Sequence, residues 1–119
     1  MSHILLVEDT KIVADAIRDT LETQGWRVQT CADGLVASLL IKGETHYDLF
    51  LLDNELPNMN GLELARLARG LAHRKQTPII MLSATECGRA ARRAGADAFI
   101  RKPEGVGQIV EMVTRLLTA

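Results

Sequence analysis

Short apolar runs alternate along this chain with longer segments whose apolar positions recur every third or fourth residue. The runs at 4–7, 26–30, 49–52, 79–82 and 98–101 carry Ile, Val, Leu and Phe at the length of buried strands, and predict five of them. Between the first two, Ile12, Val13, Ala16, Ile17 and Leu21 fall at helical spacing, with Gly25 placed to close the helix. Asp33 is placed to cap a second helix carrying Val36, Leu39 and Leu40. A third starts at Asn60, where Glu63 completes a capping box and Leu64, Leu67, Ala68 and Leu71 face inward. Residues 87–94 make at most a short basic helix, ended by Gly95. Val106, Ile109, Val110, Val113, Leu116 and Leu117 form the stripe of a last helix.

Strands separated by helices of this length pair in parallel through right-handed crossovers, which predicts one doubly wound α/β layer structure with helices on both faces. With 119 residues, a single domain and a single core are expected. Apolar residues at 47% and charged residues at 24% match globular chains and exclude disordered or fibrous classes. No apolar stretch reaches membrane-spanning length and no signal segment is recognisable, so a cytoplasmic protein is expected. A formal charge of -1 gives no electrostatic basis for direct binding to nucleic acid. Cys31 and Cys87 are far apart, and His3, His46 and His73 are scattered, so thiol redox chemistry and imidazole metal sites are not expected.

Ligands of doubly wound sheets sit beyond the carboxyl ends of the strands. The residues there are Glu8 and Asp9 after the first strand, Asp53 at the third, Ser83 at the fourth and Lys102 at the fifth. Unit charges of one sign 4 Å apart repel by about 4 kcal/mol at an effective dielectric near 20, so three crowded carboxylates call for positive charge. Lys102 can supply one such charge. Oxygen ligands on an open, wet face also suit Mg²⁺, which keeps several waters that a phosphate can replace.

Over essentially its full length the sequence resembles the receiver domains of bacterial response regulators. "ILLVED" (4–9) is similar to the family's first strand and acid pair, and "LLDNELPNMNGLEL" (51–64) to its phosphoacceptor strand and loop. "PIIMLSA" (78–84) and "AGADAFIRKP" (94–103) are similar to its hydroxyl-bearing strand and its aromatic-Lys-Pro segment. The resemblance implies a flavodoxin-like sheet of order 2-1-3-4-5. It implies Asp53 as the phosphorylated carboxylate, with Ser83 and Lys102 on the phosphoryl oxygens. Mg²⁺, or Mn²⁺, would be held by Asp9 and Asp53, by Glu8 through water and by the Glu55 backbone carbonyl. Phe99 would be the switch aromatic and the Lys102–Pro103 bond would be cis. The implied partners are a sensor histidine kinase or phosphotransfer protein and a downstream protein target, with homodimerisation on phosphorylation as a family option.

The chain departs from the family pattern in places. Only 19 positions separate Ser83 from Lys102, about one helical turn fewer than is usual, which predicts a shortened fourth helix. "EGVGQ" follows Pro103 where an aromatic residue is common, and Glu55 adds negative charge near the expected approach of water. Three rival classes remain. An aspartate-nucleophile phosphatase would need a second acid and a substrate-binding insertion. A dinucleotide site at "GVGQIV" (105–110) lacks its third glycine and the following strand. A non-phosphorylated interaction module would keep the fold without the chemistry. The chain is read as a stand-alone receiver or as one domain of a longer protein.

Overall fold

The computed structural model describes residues 1–103 and 107–118. Its strands are β1 (His3–Val7), β2 (Arg27–Cys31), β3 (Leu49–Asp53), β4 (Ile79–Ser83) and β5 (Ala98–Arg101). They alternate with α1 (Lys11–Glu22), α2 (Gly34–Lys42), α3 (Gly61–Gly70), α4 (Gly88–Arg93) and α5 (Ile109–Leu117), and a 3-10 turn over Ala72–Arg74 follows α3. The sheet order is β2-β1-β3-β4-β5 with every pair parallel, the flavodoxin-like order expected.

Side chains alternate across the sheet, and this alternation divides the core in two. Leu5, Val7, Phe50, Leu52, Ile79 and Met81 point to the face covered by α2, α3 and α4, meeting Ala37, Ile41, Leu64, Ala65, Ala68 and Ala91. Ile4, Leu6, Leu49, Leu51, Ile80, Leu82 and Ile100 point to the other, meeting Ile17 and Leu21 of α1 and Ile109 and Val113 of α5. Both faces of β1, β3 and β4 are therefore covered, which is why their sequences read as unbroken apolar runs. Each fully buried Leu, Ile or Phe contributes about 1.5–3 kcal/mol of transfer free energy, so the central strands fix the frame on which the rim is built.

Local signals bound the helices where expected. Asn60 accepts from the Glu63 N–H and Glu63 bonds back to the Asn60 N–H, the predicted capping box. Asp33 accepts from the N–H groups of Leu35 and Val36. Gly25 and Gly95 take φ of +90° and +107°, the left-handed closure that glycine permits. The fourth helix is six residues long, shorter still than 87–94. Asp53 and Ser83 belong to their strands rather than following them, β1 begins a residue earlier than expected and β2 lies one residue later. Val106 lies outside the described residues.

The inward faces of α1 and α2 differ from expectation. Val36 and Leu39 are exposed, and α2 buries Gly34, Ala37, Ser38 and Ile41 instead. The cause is close approach: a Cβ on Gly34 would collide with the Met59 backbone, so small residues line the inward side and the large ones turn outward. In α1, Ile12 is exposed because it lies about 200° around the helix from Ala14, which is buried with Ile17 and Leu21.

At the amino edge of the sheet, the turn after α3 sends Arg74 inward, only 2% exposed. Its Nε donates to the Ile41 carbonyl at 2.9 Å and its Nη2 to the Gly43 carbonyl at 3.0 Å, so the guanidinium closes the carboxyl end of α2. Its charge also lies 5.2 Å from the Tyr47 ring centre and 5.6 Å from that of Phe50. Among the described residues it has no carboxylate partner.

Candidate functional site

The opposite edge carries the acids. Backbone bonds extend the sheet one step past the strands there: Glu8 N–H to the Cys31 carbonyl, Asn54 N–H to Leu82 and Lys102 N–H to Ser83. Glu8, Asp53 and Lys102 are thus positioned by backbone that cannot shift independently of the core. Asp53 pairs in register with Leu82, which brings Ser83 to the adjacent step of β4. Gly61 lies directly beneath, where a Cβ would come within 2.5 Å of the Asp53 carbonyl oxygen and 2.9 Å of the Asn54 Cα. Only glycine lets α3 start this close to the end of β3.

Lys102 Nζ donates to Glu8 Oε1 and to Asp53 Oδ2, each at 2.9 Å. The remaining oxygens are held by backbone, with the Thr10 N–H on Glu8 Oε2 and the Glu55 N–H on Asp53 Oδ1, both at 3.1 Å. Glu8 and Asp53 are each 1% exposed, and the Lys102 side chain is 17% exposed. The Lys102 ammonium thus lies against the tip of Asp53, supplying the positive charge that the crowded carboxylates call for. Two buried carboxylates facing each other need a cation between them, and the lysine is the one this chain provides.

Burial, the largest influence, pushes the Asp53 carboxyl up to about 7, and the Glu8 charge adds to it against the opposing bonds from Lys102 and the Glu55 N–H. Burial alone would lower the Lys102 ammonium, but the two carboxylates outweigh it and raise it. Glu8, Asp9 and Asp53 each offer an oxygen within 4.8 Å of the others, with Asp9 exposed at the mouth. Three hard oxygen donors, one of them facing solvent, are the donor set that suits Mg²⁺ and leaves room for its waters.

Ser83 is fully buried, and its hydroxyl donates to Glu55 Oε2 at 2.6 Å. The Ala84 N–H donates to Glu55 Oε1 at 2.7 Å, so one carboxylate caps both donors at the end of β4. The sequence marked Glu55 for its charge and its backbone carbonyl but gave no sign of this side-chain contact, which joins residues 28 and 29 positions apart. Phe99 is half-buried on β5, beside Met81 in register, with its ring 3.5 Å from the place of a Cβ on Gly88. The Lys102–Pro103 bond is cis.

The family model for the response regulator receiver domain matches residues 4–114. The chain belongs to that family. Receiver domains are the phosphoacceptor modules of two-component signalling, and this receiver shares that role. It is 35% identical to the alkaline phosphatase synthesis transcriptional regulatory protein SphR of Synechococcus elongatus, an alignment covering 98% of this chain and 49% of SphR. The chain thus spans about half the length of that relative. Against the polar-differentiation response regulator DivK of Brucella ovis it is 29% identical, covering 96% of this chain and 94% of DivK. Among solved structures, the receiver domain of a sensor histidine kinase from Pseudomonas aeruginosa superposes with a TM-score of 0.88 at 29% identity, covering 99% of this chain and 98% of that one. That receiver holds a magnesium ion in its active-site cleft.

Proposed function

We propose that Asp53 is the phosphoacceptor, and that Lys102 and Ser83 take the oxygens of the incoming phosphoryl group. The observation that carries this reading is the Lys102 ammonium bonded at 2.9 Å to both Glu8 and Asp53 on the carboxyl edge of the sheet. In the transfer, an ionised Asp53 oxygen forms the bond to phosphorus while the bond from phosphorus to the donor's leaving atom breaks. The leaving atom departs with that electron pair. Asp53 must be ionised to attack, and Lys102 is near enough to favour the ionised form. The rigid end of β3 supplies the aim, and Lys102, pivoting from the carboxylates toward the phosphoryl oxygens, supplies charge where it develops.

Asp9 and Asp53, Glu8 through water and the Glu55 carbonyl are the residues to hold Mg²⁺, or Mn²⁺ in its place. When bound, the cation shields the carboxylates from the incoming phosphate and lowers the Asp53 carboxyl. The phosphate donor is the phosphohistidine of a sensor kinase or phosphotransfer protein, acting in the cytoplasm. The output is a change in affinity for a protein target, carried by Ser83 and Phe99, with dimerisation on phosphorylation a further consequence. Phe99 suits this role because its half-buried ring lies on β5 beside Gly88, at the start of α4.

The deciding experiment treats the protein with acetyl phosphate and Mg²⁺ and follows its intact mass, with Asp53→Asn as control. Gain of one phosphate by the wild type alone supports the reading. No gain, or gain by both, removes it. A Phe99→Ala variant that binds the target as tightly as the wild type after phosphorylation would remove the switch role.

A further inference from the structure

The phosphoacceptor reading uses the backbone carbonyl of Glu55 but gives its side chain no role. Its carboxylate accepts from the Ser83 hydroxyl at 2.6 Å and the Ala84 N–H at 2.7 Å, while its own N–H donates to Asp53 at 3.1 Å. One residue therefore joins the end of β3 to the end of β4 across the mouth of the site. The two donors it caps are adjacent, Ser83 ending β4 and Ala84 following it, beside the Asp53–Leu82 register pair, and they converge on a single anionic group. A doubly bonded carboxylate is an oxyanion on two converging donors, which is also what a phosphoryl group on Asp53 would present there.

We infer that Glu55 is an internal competitor for the phosphoryl-binding donors: it holds Ser83 and Ala84 in the unphosphorylated chain and must leave them when Asp53 is phosphorylated. The inference rests on Asp53 being the acceptor. Both anions cannot share the donors, since the hydroxyl has one proton and the charges repel. Ser83 already has another hydroxyl at hand, Thr85 Oγ1 at 3.1 Å, so releasing Glu55 strands no buried donor on that side chain.

Departure of the Glu55 carboxylate removes the loop's side-chain tie to the end of β4, while its other ties, on either side of Glu55, remain. Asn58 reaches Asp33, the Pro57 carbonyl accepts from the Gly34 N–H, and the Asn54 side chain accepts from the Leu62 N–H. The loop thus has fixed anchors on α2 and α3 and one releasable latch on β4.

The test compares wild type, Glu55→Ala and Glu55→Asp, the last keeping the charge but shortened by one methylene so that it no longer spans to both donors. Initial rates of phosphate gain from acetyl phosphate with Mg²⁺ are read by intact mass. In the same reaction Asp53 bonds to phosphorus and acetate leaves. The Ala84 amide proton of each unphosphorylated protein is followed by NMR. Both variants are expected to take phosphate about tenfold faster than wild type, and both are expected to lose the downfield Ala84 amide. Equal rates in wild type and Glu55→Ala overturn the latch, as does an Ala84 amide unmoved by either change. Acceleration in Glu55→Ala but not in Glu55→Asp also overturns it, because charge rather than the contact is then responsible. If neither wild type nor Glu55→Ala takes phosphate, the acceptor reading itself has failed and the latch falls with it.

Discussion

Two cations, one half-buried and one buried, stand at opposite edges of one sheet, and they are held by different chemistry. Lys102, at the carboxyl edge, bonds two carboxylates and keeps 17% of its side chain exposed. Arg74, at the amino edge, bonds helix carbonyls and packs near two aromatic rings, with no carboxylate partner among the described residues. A guanidinium spreads its charge over a planar fork and is weakly hydrated, so dipoles and ring faces satisfy it permanently. An ammonium is a compact charge on a flexible stem, and an ion pair that can be exchanged for another anion is a useful state for it. The amino edge is therefore held by permanent dipole contacts, whereas the carboxyl edge, on the proposed reading, exchanges its ion pair for a phosphoryl group. Burial lowers Arg74, yet guanidinium keeps its proton at any pH a protein survives, whereas Asp53 at about 7 sits where protons are exchanged.

Removing the partners at the reactive edge should have the largest effect. Asp53→Asn should abolish phosphate gain from acetyl phosphate, and Lys102→Ala should slow it by roughly 10²–10³-fold through loss of a charged donor. A Lys102→Ala rate within threefold of wild type would mean the ammonium serves structure alone. Next in size, Arg74→Met strips buried carbonyls of their donors and should destabilise the fold by about 3–5 kcal/mol in urea unfolding. The folded fraction of that variant should still take phosphate at the wild-type rate, and a slowed rate would contradict the separation of the two edges.

The pH dependence comes third. Asp53 is raised from 3.8 to about 7 in the folded chain, so its protonated form is the one folding favours. Its stabilising contribution is complete below pH 4 and is lost as pH rises through 7. With a metal chelator present, Asp53→Asn should match or trail the wild type near pH 4. It should gain on it by about 2–3 kcal/mol by pH 8, read from urea midpoints. A gap independent of pH would show that Asp53 is ionised at an ordinary carboxylate pKa. The smallest effect belongs to the cap beneath the site: Asn60→Ala should cost about 1 kcal/mol and leave the Arg74 edge untouched, as amide exchange confined to α3 would show.

The elements that could be located from the sequence are those whose cause is local. A capping box spans Asn60 to Glu63, a left-handed glycine ends a helix within a turn of its last residue, and a run such as Leu49–Asp53 declares that both its faces are covered. Strand order and the gathering of Glu8, Asp53, Ser83 and Lys102 followed from crossover handedness and from resemblance. Helix faces were less legible: Val36 and Leu39 have the spacing of a buried stripe, but how closely α2 approaches the Met59 backbone decides which side is buried.

By itself the sequence determined the alternation of strands and helices, the caps, the family and the acids that end up on one edge, because periodicity and chain direction suffice for these. Only the tertiary structure decided that Lys102 covers Asp53, that Glu55 holds the donors at the end of β4 and that Arg74 closes α2. Those contacts join residues 49, 28 and 33 positions apart. At such separations the partner of a charged side chain depends on how whole elements pack, and short-range pattern carries no record of it.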